Sequence, residues 1–293
     1  MRIVFIGTGE IGVPTLRWLI ETSEHELVGV VTQPDKPVGR KQVMTAPAVK
    51  AAIGDRSIPV IQPKRIKSDE AIDAIRGFAP DTIVVMAYGQ ILPRAVLEIP
   101  RLACLNLHAS LLPRHRGAAP IQAAIVAGDA ETGITVMYMA EGLDTGDILL
   151  QSPVQLAPDE TGGSLHDKLA LIAPDALRDA LRQLAIGGAP RIPQDTSAAT
   201  YAPKLERDDG RIDWGEAAAV IERKIRAFDP WPSAFTIVSG RKLKIFKATF
   251  GESGPLGFRA ADDALTIVEA QLEGGRRMLA DELVRGHPWL AKP

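Results

Sequence analysis

Five short apolar runs punctuate the first 107 residues: Arg2–Ile6, Leu27–Thr32, Val60–Ile61, Thr82–Ala87 and Ala103–Leu107. Amphipathic stretches with helical spacing lie between them, at Pro14–Thr22, Ala46–Ile53 and Asp69–Phe78. Runs rich in β-branched residues and apolar throughout belong to strands buried on both faces. Strands that alternate with helices pack in parallel, because each crossover helix covers one side of the sheet. The pattern continues with a helix at Ile121–Ala127, a strand at Thr132–Met139 and a long helix at Ser164–Ile186. The fold class expected is α/β with a mostly parallel sheet. Near Gly187 the texture changes to GGAPRIPQDTSAATYAPKLERDDG, a stretch with the composition of a linker. Beyond it come a helical segment, Trp214–Phe228, and short runs at Ala234–Val238, Leu243–Phe250, Leu265–Ala270 and Arg277–Leu279. Several short strands at this spacing suit a small β-barrel. Residues 1–188, 189–205 and 206–293 are thus read as sheet domain, linker and second domain.

The first run leads directly into Gly7-Thr-Gly9-Glu-Ile-Gly12, a G-x-G-x-x-G match. In dinucleotide-binding folds these glycines permit a tight turn and a close approach of backbone to pyrophosphate. An NAD-dependent oxidoreductase is therefore one reading. It needs an acidic residue at the end of the second strand to hold a ribose. Glu26 falls at the start of that strand rather than its end, and Asp35 falls in a basic stretch, so no NAD is expected. Gly7 and Gly9 are then read as shaping a turn beside the crevice. The net charge of −2 excludes a uniformly basic nucleic-acid binder but not local basic patches. A single cysteine, Cys104, rules out an internal disulfide framework and fits a reducing cytoplasm. No signal-peptide pattern opens the chain, and no apolar run approaches the roughly twenty residues that span a bilayer. A cytoplasmic protein without a membrane partner is expected. No coiled-coil pattern or apolar patch is legible, so the default is a monomer.

The densest chemistry lies between Asn106 and Asp147. Asn106 and His108 stand two apart at the end of an apolar run, so in a strand they share a face and point toward the ligand crevice. An amide donor beside an imidazole suits acyl transfer: Asn106 can stabilise an oxyanion, and His108 can stabilise it or move a proton. Asp144, in the Gly-flanked loop GLDTGD after another strand, can orient and support His108 or relay a proton through water. No second His or carboxylate stands at a standard ligand spacing from His108, so no metal is expected. Cys104 sits mid-strand and reads as a small buried hydrophobe rather than a nucleophile.

Ser110–Pro120, SLLPRHRGAAP, is a long loop with prolines near both ends, shaped to wall a pocket. With NLHASLLPRHRGAAPIQ and GLDTGDIL, the stretches VVTQPDKPVGRK, MAYGQILP and RIDW…IRAFDPWP resemble the folate-dependent formyltransferases over nearly the whole chain. The resemblance departs at Gly9-Glu10-Ile11, where the family commonly has a Pro-Asp-Phe-like stretch, and in a shorter Gly251–Phe258. It implies a Rossmann-like catalytic domain followed by an OB-like, tRNA-binding barrel. The implied activity is transfer of the formyl group of 10-formyltetrahydrofolate to the α-amine of methionine on initiator tRNA, for translation initiation. Asn106, His108 and Asp144 are then catalytic, and Ser110, Leu111, Leu112 and Pro113 line the folate site with Tyr88, Gly89, Ile91 and Leu92. Lys36, Arg40 and Lys41 resemble the family's insertion that reaches the tRNA acceptor stem. A second basic cluster, Arg241, Lys242, Lys244 and Lys247, puts Lys242 and Lys244 on one strand face, suited to phosphates. The rival readings are a formyltransferase acting on an amino-sugar nucleotide or on glycinamide ribonucleotide, the NAD-dependent oxidoreductase, and a non-catalytic tRNA-binding protein.

Overall fold

The β-branched runs assemble into one seven-stranded sheet in the computed structural model, which describes residues 1–39 and 41–291. Arg40 therefore lies outside the described residues. In chain order the first elements are β1 (Arg2–Gly7), α1 (Val13–Glu21), β2 (Glu26–Val31), β3 (Lys36–Val38), β4 (Val43–Thr45), α2 (Ala48–Ile53), β5 (Val60–Ile61) and α3 (Asp69–Gly77). Next come β6 (Thr82–Met86), α4 (Arg94–Leu97), β7 (Ala103–His108), β8 (Arg116–Gly117), α5 (Pro120–Ala127), β9 (Glu131–Tyr138), β10 (Ile148–Gln155) and α6 (Gly162–Ala185). The remainder comprises β11 (Tyr201–Ala202), α7 (Ala218–Ala227), β12 (Ala234–Val238), β13 (Arg241–Phe250), β14 (Gly257–Arg259), β15 (Ala264–Leu272), β16 (Met278–Leu279) and α8 (Ala280–Gly286).

The large sheet has the order β10–β9–β7–β6–β1–β2–β5. β5, β2, β1, β6 and β7 are parallel, and β9 is antiparallel to β7. The chain builds outward from β1 in one direction, then returns to build outward from β6 in the other. That reversal is the switch point beyond whose carboxyl ends α/β sheets bind ligands. Val4, Ile6, Ile83, Val85 and Cys104 pack on one face against Ile72 and Ile75 of α3 and Val96 of α4. The intervening Ile3 and Phe5 are fully buried as well. Burial of alternate residues on both sides is why these strands read as continuous apolar runs. α3 starts where Ser68 Oγ accepts the Ala71 N–H (3.3 Å), with Asp69 and Glu70 in its positive first turn.

Packing divides the chain into two compact units, Met1–Gly117 with Thr132–Val154 and His166–Tyr201, and Ala118–Glu131 with Gln155–Leu165 and Ala202 onward. The units are thus interleaved rather than cut once near 188, because the apolar helix α5 packs with α7 in the second unit. The second unit contains a five-stranded antiparallel sheet, β12–β13–β15–β14 with β16 on β15. Leu243, Ile245, Leu265 and Ile267 form its core with Ile221 and Ile225 of α7 and Leu283 of α8.

Three elements differ from the sequence expectation. β10 is a sheet-edge strand that carries Pro153, a residue that argues against a strand in sequence but is tolerated at an edge. Lys36–Val38 and Val43–Thr45, where no strand is expected, pair as the β3–β4 hairpin, and Gly39 follows β3 at φ 72°. The helix expected from Trp214 begins at Ala218, because Asp213 Oδ1 captures the Gly215 N–H (2.9 Å) and turns the chain first.

Candidate active site

The carboxyl ends of β1, β2 and β6 are tied together by one carbonyl. Thr8 Oγ1 donates to Tyr88 O (3.1 Å), as does Gln33 Nε2 (3.2 Å). This fixes the 87–92 segment beside the Gly7–Gly12 junction. Gly7 is required there for space, not for an unusual φ. A Cβ on it would stand 2.8 Å from Met86 O and 2.7 Å from the Phe5 ring. Asp35, the other acidic candidate for a ribose, is already engaged: hydrogen bonds from Gln62 and Lys50 hold its carboxyl below the usual range.

Next to β6, β7 carries Asn106 and His108 on one face, with Asn106 opposite Val85 on one side and Met137 on the other. His108 is buried and Asn106 half-buried. The Asn106 carboxamide has no hydrogen bond among the described residues, so its donors are open to a ligand. His108 Nε2 lies 2.9 Å from His115 O. A carbonyl only accepts, so Nε2 carries the proton and Nδ1 is the position free to gain or lose one. Nδ1 faces Asp144 Oδ2 at 3.6 Å, too long for a hydrogen bond. The same Oδ2 accepts the Gly117 N–H (2.8 Å).

Asp144 reaches His108 from a strand that runs opposite to β7. β9 is antiparallel, and Met139 N–H donates to Cys104 O (2.8 Å), so the loop leaves β9 near the amino end of β7. It then folds back toward His108. Gly146 allows that path, since any Cβ there would overlap Tyr138 O. Asp144 itself takes a left-handed backbone, φ 50°.

The tripeptide His115-Arg116-Gly117 organises both groups: its first carbonyl meets His108 and its last N–H meets Asp144. Thr200 holds the tripeptide, accepting the His115 N–H on Oγ1 (2.8 Å) and the Arg116 N–H on its carbonyl (2.8 Å). Sequence reasoning missed Arg116, Gln194 and Thr200. The last two lie in the stretch read as linker, and nothing local marks them.

Among the candidate folate residues, Ser110 is fully buried and its Oγ donates to Arg114 O (2.7 Å). Leu112 packs with Met137 and Ile148 and precedes a cis peptide to Pro113. Leu111 and Pro113 are half-buried. Thr135 Oγ1 donates to Ser110 O (2.6 Å) and accepts the Leu112 N–H (3.1 Å), and Gln151 Nε2 donates to Leu112 O (2.8 Å). Tyr88 and Leu92 are buried, Gly89 has φ 84°, and Ile91 is exposed. The buried Tyr88 hydroxyl is pushed up to about 12 by desolvation. Burial likewise pushes the Cys104 thiol up to about 12, which suits a core residue and not a nucleophile.

Of the basic candidates, Lys36 lies on β3 and Lys41 in the hairpin turn, both exposed. In the second unit, Lys242 and Lys244 share a face of β13, and Lys242 Nζ stands 3.8 Å from the centre of the Phe235 ring. Arg241 donates to Glu273 O (3.0 Å). Lys247 is exposed beside a register shift that interrupts the alternation. No helix among the described residues is long and apolar enough to cross a membrane.

Residues 1–181 match the family model described as formyl transferase, and residues 204–288 the one described as formyl transferase, C-terminal domain. A methionyl-tRNA formyltransferase of Akkermansia muciniphila is 49% identical over 98% of this chain and 97% of that protein. One of Geobacter sulfurreducens is 43% identical over 98% of this chain and 94% of that protein. Among solved structures, the methionyl-tRNA formyltransferase from Clostridium thermocellum superposes with a TM-score of 0.60 at 17% identity, covering 96% of this chain and all, 100%, of that one. HypX from Aquifex aeolicus in complex with tetrahydrofolic acid gives 0.66 at 18% identity, covering 99% of this chain and 47% of that one.

Proposed function

The chain belongs to the methionyl-tRNA formyltransferase family, and on that footing we propose that it transfers the formyl group of 10-formyltetrahydrofolate to the α-amine of methionine on initiator tRNA. The observation that carries this is identity of 43–49% to such enzymes over nearly the full length of both partners. The transfer moves a formyl group without changing its oxidation level, so the reaction calls for no redox cofactor such as NAD.

The roles follow from the chemistry. The amine nitrogen attacks the formyl carbon, and the carbonyl oxygen becomes an oxyanion. The C–N10 bond to the folate then breaks. The amine loses one proton and N10 gains one, so the net transfer is proton-neutral. Asn106 donates from its unengaged carboxamide to the oxyanion. With Nε2 committed to His115 O, His108 acts on the oxyanion or on the transferring proton through Nδ1, the ring nitrogen that faces Asp144. Asp144, through water, takes the amine proton. Preorganised donors of this kind act where charge develops, and holding both substrates in register supplies much of the remaining rate.

Ser110, Leu111, Leu112 and Pro113, with Tyr88, Gly89, Ile91 and Leu92, form the folate side of the site. Lys36, Arg40 and Lys41 meet the acceptor stem, and Arg241, Lys242, Lys244 and Lys247 meet phosphates elsewhere on the tRNA. By function, residues 1–188 carry the chemistry, 189–205 connect, and 206–293 bind tRNA. The protein acts as a cytoplasmic monomer.

The decisive experiment supplies purified protein with methionine-charged initiator tRNA and 10-formyltetrahydrofolate. Formyl-methionyl-tRNA is expected to accumulate. Absence of that product, with formylation of an amino-sugar nucleotide instead, overturns the assignment.

A further inference from the structure

Gln194 lies in a stretch with the composition of a flexible linker, yet every hydrogen-bonding position of its side chain is filled. Its Oε1 accepts from Arg116 Nε (3.0 Å) and Nη2 (2.6 Å). Its Nε2 donates to Asp144 O (2.9 Å) and Gly146 O (2.7 Å). The orientation of the amide is unambiguous, because a guanidinium only donates and a backbone carbonyl only accepts. The segment around it is fastened on both sides. Ile192 exchanges two backbone hydrogen bonds with Ile148 (2.8 and 3.0 Å), and Thr200 holds His115 and Arg116.

We propose that Gln194 is a positioning residue for the formyl transfer: its two amide hydrogens hold the Asp144–Gly146 backbone, and thereby the Asp144 carboxylate, in register with His108. The proposal rests on the site reading of Asn106, His108 and Asp144 given above. Asp144 has φ 50°, a region a non-glycine residue occupies at a cost and keeps only where its surroundings fix it. Gln194 supplies that fixing at two carbonyls of the same turn. It also reaches across to Arg116, a buried side chain in the tripeptide that meets His108 and Asp144. One amide therefore spans the two pieces of backbone that set the His108–Asp144 distance. Loss of it leaves the substrate-binding groups in place and lets the carboxylate drift, and displacements near 1 Å can cost about 10²-fold in rate.

The test uses the full-length protein with Gln194→Ala, Gln194→Glu, Asp144→Asn and the double variant Gln194→Ala/Asp144→Asn. Gln194→Glu has the same shape and still accepts from Arg116, but its carboxylate offers no hydrogen to Asp144 O or Gly146 O. It therefore keeps the Arg116 contact and the side-chain volume while turning the two positioning contacts repulsive, should Gln194→Ala fold poorly. Single-turnover formylation is measured with KM for folate and for tRNA. Both single Gln194 variants are expected to slow the single-turnover rate about 10- to 100-fold, with each KM within twofold of the parent. The double variant is expected to match Asp144→Asn alone, because Gln194 acts through that carboxylate. An unchanged rate in Gln194→Glu, or a loss in the double variant equal to the product of the single losses, overturns the proposal while leaving the site reading intact. A full rate in Asp144→Asn overturns the site reading, and the proposal with it.

Discussion

Two glycine-bearing turns follow strands of the same sheet, Gly7–Gly12 after β1 and Gly142–Gly146 after β9. The first carries the conspicuous motif; the second carries Asp144. In neither turn do the glycines take a positive φ. Gly7 and Gly146 are both required because another backbone carbonyl passes too close, Met86 O for one and Tyr138 O for the other. The difference is what the close approach achieves. At Gly7 it packs a strand end against its neighbour. At Gly146 it folds a loop back across the sheet so that a left-handed aspartate meets a histidine at 3.6 Å. A glycine pattern therefore reports crowding, and only the polar groups that the crowding brings together report chemistry.

The sharpest break between the two turns is chemical. His108→Ala removes the group we propose to act on the oxyanion at the second turn's site and leaves the first turn untouched. Formylation is expected to fall about 10³-fold, with tRNA affinity, measured by filter binding, within twofold. A retained rate would return the function to the glycine junction. Next in size is Gly146→Ala. The clash is with main chain, so either the loop or β9 must shift. We expect about 3 kcal/mol of lost stability in urea unfolding, together with a loss of turnover comparable to that of Asp144→Asn. Gly7→Ala is expected to cost about 1–3 kcal/mol, because the Phe5 ring can yield but Met86 O cannot. Its kcat in the surviving folded fraction stays within about threefold, a ratio fixed by normalising activity to active-site titration. If Gly7→Ala removes activity as thoroughly as Gly146→Ala, the two turns are chemically equivalent and the comparison fails.

Strands β1, β2, β6 and β7 were legible because burial on both faces leaves an unbroken apolar run that few other structures produce. β10 was not, because an edge strand alternates and tolerates a proline. Asn106 and His108 were legible because a two-residue spacing fixes a common face, whatever the surroundings. Asp144 was recognisable as a candidate, but its route to His108 depends on the direction of β9, which local sequence does not encode. Gln194 and Thr200 were invisible for a related reason. Their partners lie roughly 50 to 85 residues away in sequence, and a Pro-, Thr- and Ser-rich stretch reads the same whether it hangs free or is strapped down.

The smallest expected effect is also the most direct test of the glycine motif. In a dinucleotide-binding junction the second glycine is the one that lets the backbone approach the pyrophosphate, and a methyl group there blocks it. Gly9 occupies that place. Its backbone has φ −76°, open to any L-residue, and an added Cβ would touch only the Ala87 methyl at 3.7 Å, an ordinary contact. Gly9→Ala is therefore expected to change stability by no more than about 0.5 kcal/mol and to leave the KM for 10-formyltetrahydrofolate unchanged. A rise in the KM for methionyl-tRNA alone would locate the aminoacyl end at Gly9, whereas a rise in the folate KM would place the folate, not the tRNA, at this turn. Either outcome refines the contrast between the turns, since it would give the first one a ligand while leaving the proton chemistry to the second.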